Sequence, residues 1–175
     1  MKVKTIIDED FVNYKKPSMF IATSKCDFKC DKECGKAVCQ NSHLATAPNI
    51  DVDENKIAKR FFQNPITEAV VIGGLEPFDT FKDLIKLIEA FCSYNKVIDF
   101  VIYTGYMPQE IILQLAHLRY YMNRLNIIIK FGRFKPDQSS HFDEVLGVEL
   151  ASPNQRAIVL KDLFEIHKEE NNESK

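Results

Sequence analysis

Fold and chemistry meet in one stretch of this chain, Met19-Phe-Ile-Ala-Thr23-Ser-Lys-Cys26-Asp-Phe-Lys-Cys30-Asp-Lys-Glu-Cys34-Gly-Lys-Ala-Val-Cys39-Gln-Asn41. It opens with a short apolar run, which predicts a buried strand. Four cysteines follow directly, so their thiols are expected beyond the C-terminal end of that strand. Thiolates gathered this closely are soft ligands for a metal ion or an iron–sulfur cluster. The stretch therefore predicts a metal or cluster site at one edge of a sheet.

Composition places the chain among ordinary globular proteins. Its 175 residues are 45% hydrophobic and 27% charged, so we expect a single domain spanning 1–175. The C-terminal end, 168–175, is polar and charged and is expected to fray. A formal net charge of −2 argues against a nucleic-acid partner, because proteins that bind nucleic acids normally carry a strong excess of basic residues.

The sequence shows neither a long apolar run nor a leader pattern. No stretch of about eighteen apolar residues could span a bilayer, and no charged-then-apolar start precedes a small-residue cleavage site. We therefore expect a cytoplasmic protein with no membrane partner. Thiols stay reduced there, which favours metal binding by the cysteines over a disulfide framework.

Strand and helix patterns alternate along the chain. Three more strand patterns follow Met19–Thr23, and each ends at glycine: 68–73, 99–104 and 126–131. Helical periodicity lies between them, at 53–62 after a capping Asp53, at 79–94 and at 108–119. This order predicts an α/β fold of right-handed βαβ units with a parallel sheet. Ligands of such sheets bind beyond the carboxyl ends of the strands, where the cysteine loop and the glycine turns meet.

The cysteines alone leave their occupant open. A structural zinc site and a set of unligated thiols both remain alternatives, although zinc sites usually pair two CxxC-like hooks and this loop has none. In a four-iron cluster held by only three cysteines, one iron stays open to a substrate or cosubstrate. That open position would make the cluster a catalyst rather than an electron carrier.

The cysteine loop resembles that of the radical S-adenosylmethionine (SAM) enzymes, whose usual pattern is CxxxCxxC. Cys26-x-x-x-Cys30 fits this pattern, but eight residues separate Cys30 from Cys39, and Cys34 lies between them. We favour Cys39 as the third ligand, because the following Gln40-Asn41 resembles the tail found in the activase branch of the family. Cys34 is the competitor, and a cluster bound by all four cysteines would have no open iron.

A second motif follows the next predicted strand. Gly73-Gly74-Leu75-Glu76-Pro77 resembles the GGEP motif of radical SAM enzymes, with Leu75 as an extra residue. By that resemblance, Gly73, Gly74 and Glu76 contact the amino group of the methionine moiety of SAM. Glycines suit a strand end where backbone must approach a ligand closely. The alternative is an ordinary turn at the end of a strand, since Gly-Gly and Glu-Pro are common in turns.

Three later segments extend the resemblance over most of the chain. They resemble segments of the anaerobic ribonucleotide reductase activating proteins, with Phe131 replacing the usual acid: Tyr103-Thr-Gly-Tyr106, Phe131-Gly-Arg-Phe134 and Ala151-Ser-Pro-Asn-Gln-Arg156. Each is weak alone, and their order along the chain carries the argument. The resemblance implies a radical SAM fold, an incomplete TIM-type barrel of parallel βα units.

The resemblance also implies an activity, cofactors and partners. A [4Fe-4S] cluster would be reduced by a flavodoxin-type donor and would cleave SAM to methionine and a 5′-deoxyadenosyl radical. That radical would install a glycyl radical on a partner similar to anaerobic ribonucleotide reductase. Asn154 is a weaker candidate for a polar contact. The implied cluster ligands are Cys26, Cys30 and Cys39, and the implied floor of the SAM pocket is Thr104 and Gly105.

Two other functions remain open. A radical SAM enzyme acting on a small molecule, such as a deazapurine precursor, would share the first half of the chain. A non-catalytic interaction module that binds an iron–sulfur cluster or zinc is the second alternative, and the irregular cysteine spacing is its best argument.

Overall fold

A computed structural model describes residues 1–165 of the chain, so the fraying expected at 168–175 lies outside the described residues. Within them the strands are β1 (Lys2–Asp10), β2 (Ser18–Thr23), β3 (Ile50–Asp51), β4 (Ala69–Gly73), β5 (Asp99–Tyr103), β6 (Asn126–Phe131), β7 (His141–Asp143), β8 (Val148–Leu150) and β9 (Arg156–Val159). Seven of them form one sheet in the order β3-β1-β2-β4-β5-β6-β9, and β7 and β8 form a separate hairpin.

The central strands of the large sheet are parallel. β2, β4, β5 and β6 pair in parallel register, with Ile72 of β4 opposite Ile21 on one side and Ile102 on the other. β4 is buried at every position, as expected of a strand covered on both faces. The α/β class predicted from sequence is therefore confirmed, with a central sheet that is mostly rather than wholly parallel. The flanking strands β1 and β9, which the sequence pattern did not predict, pair antiparallel with β2 and β6.

Helices connect the parallel strands. They are α1 (Lys29–Cys34), α2 (Ser42–Thr46), α3 (Glu54–Gln63), α4 (Phe81–Cys92) and α5 (Ile112–Leu118). Asp53 caps α3 as predicted, because its Oδ1 accepts the N–H groups of Asn55 and Lys56 at 2.8 and 3.1 Å. The predicted helices at 79–94 and 108–119 each begin instead with a 3₁₀ turn led by proline, Pro77–Thr80 and Pro108–Glu110.

The two faces of the sheet carry different layers. α3, α4 and α5 pack on one face, where fully buried side chains such as Leu87 and Phe91 contribute about 1.5–3 kcal/mol each. The opposite face is covered by Tyr14 and by the β7–β8 region, through Leu146 and Leu150. The latter cover is smaller, and it leaves room for a cavity at the carboxyl ends of the parallel strands.

None of the helices within residues 1–165 combines the length and apolar character that crossing a bilayer requires. The longest, α4, has twelve residues.

Candidate metal centre

A cavity of about 420 Å³ opens at the carboxyl ends of the parallel strands, on the face opposite α3 and α4. Its size falls in the range of small-molecule sites. Most of the residues predicted to bind the cluster or SAM line it together: Cys26, Cys30, Cys39, Gly74, Glu76, Thr104 and Gly105. Gly73 and Asn154 are not in its lining. Gly73 lies beside the cavity wall, where an added Cβ would come within 3.1 Å of Tyr103 Cβ.

The cysteine loop folds back on itself before Cys39. α1 carries Cys30 and ends at Cys34, and Gly35 then takes a left-handed conformation with φ +64°. Asp31 Oδ1 accepts the backbone N–H groups of Val38 and Cys39 at 2.7 and 2.8 Å. This turn places Cys39 in the cavity lining beside Cys26 and Cys30, whereas Cys34 is not in that lining. The long spacing is thus compatible with Cys39 as third ligand, which stays a prediction.

The surroundings of the sulfurs fit a site for bound thiolates. Burial raises the pKa of Cys26 to about 12 and also raises the pKa of Cys30, so free thiols there hold their protons. Backbone N–H groups oppose this effect: Phe28 donates to Cys26 Sγ at 3.3 Å, and Phe134 donates to Cys30. Such thiols ionise when a metal replaces the proton.

The spacing of the sulfurs differs from that of a single-ion site. Within residues 1–165, no three cysteine sulfurs lie within 4.8 Å of one another. A tetrahedral zinc site with Zn–S bonds of about 2.3 Å needs its sulfurs roughly 4 Å apart. Within the described residues, Cys26, Asp27 and Asp79 do offer three ligand atoms that lie within 4.8 Å of one another. The carboxylate of Asp79 already accepts the Asp27 N–H at 2.8 Å and the Tyr106 hydroxyl at 2.7 Å.

Glu76 is the buried acid of the cavity. Its Oε1 accepts the Thr104 hydroxyl at 2.7 Å and the Phe78 N–H at 3.1 Å, and its Oε2 accepts the Gly105 N–H at 2.8 Å. Burial raises the pKa of Glu76 to about 7, although these donors oppose the shift. Thr104 and Gly105, predicted as the pocket floor, therefore also fix the Glu76 carboxylate. The Oε2 atom retains acceptor capacity for a further donor.

Glycines give the cavity its shape. Gly74 has φ +75°, and an added Cβ would lie 2.9 Å from Ala22 Cβ and 3.1 Å from Leu44 Cδ1. A side chain there would collide with Ala22 on β2 and would displace the Leu44 side chain of α2. At Gly105, an added Cβ would lie 3.5 Å from Glu76 Oε2 and 3.9 Å from Cys30 Sγ. Gly105 thus lies beside both Cys30 and the buried acid.

Lys130 is a cavity residue that the sequence pattern did not reveal. Its side chain is 7% exposed, and its Nζ donates to the Gly132 carbonyl at 2.9 Å and lies 5.8 Å from the centre of the Tyr103 ring. Burial lowers the pKa of Lys130 to about 8. An ammonium has three N–H donors, so Lys130 can donate a further hydrogen bond to a ligand in the cavity.

A family model described as a 4Fe-4S single cluster domain matches residues 16–158. The match includes the four clustered cysteines, the parallel strands and all of the cavity lining except Val12 and Asn13. The chain belongs to this family. Comparisons with curated proteins and with solved structures each found no match. The match supports a 4Fe-4S cluster and metal binding, and the cysteines around the cavity fit that cofactor.

Ion pairs fasten the cysteine loop of this 4Fe-4S domain to the strand edge. Arg133, next to Gly132 at the end of β6, donates to both oxygens of Glu110 and lies with Nε 3.2 Å from Glu33 Oε1 on α1. Lys29, also on α1, has its Nζ 4.0 Å from the centre of the Tyr106 ring. Arg133 is 8% exposed, so these ion pairs involve a buried guanidinium rather than a charge at the surface.

The C-terminal motif contributes through Gln155 rather than Asn154. The Gln155 side chain accepts the Ala151 N–H at 3.0 Å and donates to the Gly132 carbonyl at 3.3 Å, and it lines the cavity. Asn154 donates instead to the Arg133 carbonyl at 2.8 Å. The 4Fe-4S domain thus uses this segment to hold the end of β6, where the Gly132 backbone leaves no space for a Cβ against the Asn154 carbonyl.

Proposed function

We propose that this 4Fe-4S protein is a radical SAM enzyme that installs a glycyl radical on a partner similar to anaerobic ribonucleotide reductase. One observation supports this most strongly. Cys26, Cys30 and Cys39 line the same 420 Å³ cavity as the Gly74–Glu76 and Thr104–Gly105 segments. A site for electron carriage alone needs no such shared cavity, and a family of this description is found among radical SAM-type proteins.

The residues divide the work by chemical type. When bound, a reduced [4Fe-4S] cluster supplies the electron that cleaves SAM to methionine and a 5′-deoxyadenosyl radical. Cys26, Cys30 and Cys39 hold the cluster through their thiolates, and backbone N–H donors to Cys26 and Cys30 stabilise those charges. Because Cys34 is not in the cavity lining, a cluster held by these three cysteines would leave one iron without a protein thiolate and open to SAM.

Glu76 and Lys130 are suited to the two charged ends of an amino acid. The Oε2 atom of Glu76 has acceptor capacity left for an ammonium. The Nζ of Lys130 has donors left for a carboxylate and lines the same cavity. Because both side chains are more than nine-tenths buried, a ligand that pairs with them gains more than it would at the surface. These contacts support binding of the methionine moiety of SAM.

The sheet supports the proposal of an incomplete barrel. Its order begins at the two-residue β3 and ends at β9, so it is not closed. The cavity lies on the face away from α3 and α4, which is the interior in a TIM-type arrangement. We infer that the parallel strands are the βα units of such a barrel and that the cavity is its open interior.

The rim of the cavity favours a protein substrate. Phe11 is 63% exposed, and its neighbour Val12, which lines the cavity, is 73% exposed. Phe142 is 57% exposed and pairs across the hairpin with Glu149, another lining residue. Exposed apolar side chains around a cavity mouth suit contact with another polypeptide. They support the activase reading over a small-molecule substrate.

The outer surface of α1 offers a place for an electron donor. α1 has no buried residue and carries Cys30, one of the proposed cluster ligands. Lys32 and Lys36 are exposed on and beside it. A flavodoxin-type donor, which is acidic, would dock against such cations close to the cluster.

The test is anaerobic purification followed by assays for iron, sulfide, zinc and 5′-deoxyadenosine. We expect four irons per chain, and 5′-deoxyadenosine that forms only with reductant. A glycyl-radical signal should appear when an anaerobic ribonucleotide reductase-like partner is added. Zinc without iron would support the non-catalytic module. Deoxyadenosine formation coupled to a small molecule, with no partner radical, would support the other radical SAM alternative.

A further inference from the structure

The Arg133–Glu33 ion pair anchors α1, but the part of the loop between α1 and Cys39 has few contacts to hold its shape. No residue of α1 is buried, and Gly35, Lys36 and Ala37 are exposed. Within the described residues, the ion pair from Lys36 joins Asp137 at 3.6 Å, and both partners are largely exposed. Exposed pairs of this kind stabilise little. Something else must return the chain to the cavity at Cys39.

Asp31 supplies that contact. It lies one residue after Cys30 on α1, and a single carboxylate oxygen accepts the N–H groups of Val38 at 2.7 Å and of Cys39 at 2.8 Å. Hydrogen bonds to an ionised acceptor are stronger than neutral ones. The Asp31 carboxylate therefore joins the backbone that carries Cys30 to the backbone that carries Cys39. These two hydrogen bonds set the separation between the Cys30 and Cys39 backbones, which carry two of the predicted cluster ligands.

We propose that Asp31 is the positioning residue for the third cluster ligand. The inference rests on the proposed function, in which Cys39 rather than Cys34 completes the set. Asp31 does not touch the cluster in this account. It holds the Cys39 backbone near Cys30, although eight residues separate the two cysteines in sequence. Without the Asp31 carboxylate, Cys39 would no longer be held at the cavity.

The test compares Asp31→Ala and Asp31→Asn with the wild type in full-length, anaerobically reconstituted protein. Asp31→Ala removes the one oxygen that accepts both hydrogen bonds, and we expect iron loss to a chelator to become about tenfold faster, as when a ligand-orienting partner is removed. Asp31→Asn keeps an oxygen at the same place, so its rate should fall closer to that of the wild type. Asp137→Ala, which removes an exposed acid paired with this loop, is the matched control and should behave like the wild type.

Two further variants separate this inference from the proposed function. Cys39→Ala should lose the cluster and Cys34→Ala should keep it. If Cys39→Ala loses the cluster while Asp31→Ala keeps iron at the wild-type rate, the role of Asp31 is wrong and the ligand set stands. If Cys34→Ala loses the cluster and Cys39→Ala keeps it, the ligand set is wrong and the inference falls with it. Circular dichroism of each variant checks that the fold is retained.

Discussion

At the scale of single residues, Gly74 is a cavity-wall position where both backbone conformation and space require glycine. We predict that Gly74→Ala destabilises the protein and weakens SAM binding. The left-handed φ of +75° costs an alanine roughly 1–2 kcal/mol, and the contact at 2.9 Å with Ala22 adds an overpacking cost of about 1–3 kcal/mol. Urea unfolding and equilibrium dialysis with SAM measure the two effects.

Gly35 provides the matched control for Gly74. Gly35 has φ +64°, but an added Cβ would meet nothing within 4 Å. Gly35→Ala should therefore lose only the conformational part, roughly 1–2 kcal/mol of unfolding free energy. Equal losses in the two variants would show that the contact of Gly74 with β2 and Leu44 is unimportant.

Lys130 gives a prediction in which stability and binding change in opposite directions. Lys130→Met removes a buried ammonium with few partners, so the unfolding free energy should stay the same or rise. SAM affinity should fall about tenfold, because a charge-assisted hydrogen bond is lost. Lys32→Met, on the exposed surface of α1, should change neither quantity. Unchanged SAM affinity in Lys130→Met would remove this residue from the site.

Some site residues were predictable because their chemistry is visible in the sequence. Cysteines, paired glycines and an acid before proline stand out wherever they occur, and most of the predicted ones line the cavity. Lys130 was not predictable, because a lysine near a strand end usually points to solvent. Its burial depends on which face of β6 it occupies. The contact of Asp31 with Cys39 depends on loop geometry that residue types do not encode.

At the scale of elements, one buried acid joins three strand segments at the opposite end of the sheet. Asp99, at the start of β5, accepts the Tyr14 hydroxyl at 3.0 Å and the Asn126 amide at 2.7 Å, and its Oδ2 lies 2.6 Å from Lys16 Nζ. Burial alone would raise the pKa of Asp99, but these donors outweigh it and the pKa is lowered. Asp99 thereby links the β1–β2 connection to β5 and β6.

This network predicts a pH-dependent stability. An acid whose pKa is lowered on folding stabilises the protein above its unfolded pKa, near 3.9, and that stability disappears as pH falls through the folded pKa. The unfolding free energy lost in Asp99→Asn should therefore be largest at pH 6 and should shrink toward pH 3.5. Urea titrations across this range measure it.

The exposed Asp137 serves as the control for Asp99. Asp137→Asn should differ little from the wild type at any pH in the same range, because its side chain is 86% exposed. A stability difference for Asp99→Asn that is constant with pH would contradict the role of the ionised carboxylate.

The sequence predicted the strands that are buried on both faces of the sheet and the helix with a strong apolar periodicity. The parallel strands β4, β5 and β6 are short apolar runs ending in glycine, and α4 has strong helical periodicity. β1 escaped prediction because Lys2–Asp10 is rich in charge and only Val3 and Asp10 within it are buried. β7 and β8 have three residues each, too few for periodicity to show. The helix α1 within the cysteine loop has no buried side chain and so no apolar pattern.

At the scale of the whole molecule, the chain gathers its cofactor chemistry at one edge of one sheet. The carboxyl ends of β2, β4, β5 and β6 bring the cysteine loop, the buried acid and the buried cation to a single cavity. The opposite edge carries structural contacts such as those of Asp99. This separation lets the cavity hold glycines at positive φ and buried polar groups with hydrogen-bonding capacity left for a ligand, while the helix-covered core supplies stability.

The most direct test of the central claim is electron paramagnetic resonance of the reduced, reconstituted protein before and after SAM is added. The account predicts a four-iron signal that SAM changes, in the wild type and equally in Cys34→Ala, because both keep Cys26, Cys30 and Cys39 around the cavity. Cys39→Ala should lose that signal. A wild-type spectrum that SAM leaves unaltered, or a four-iron signal retained in Cys39→Ala and lost in Cys34→Ala, would contradict it.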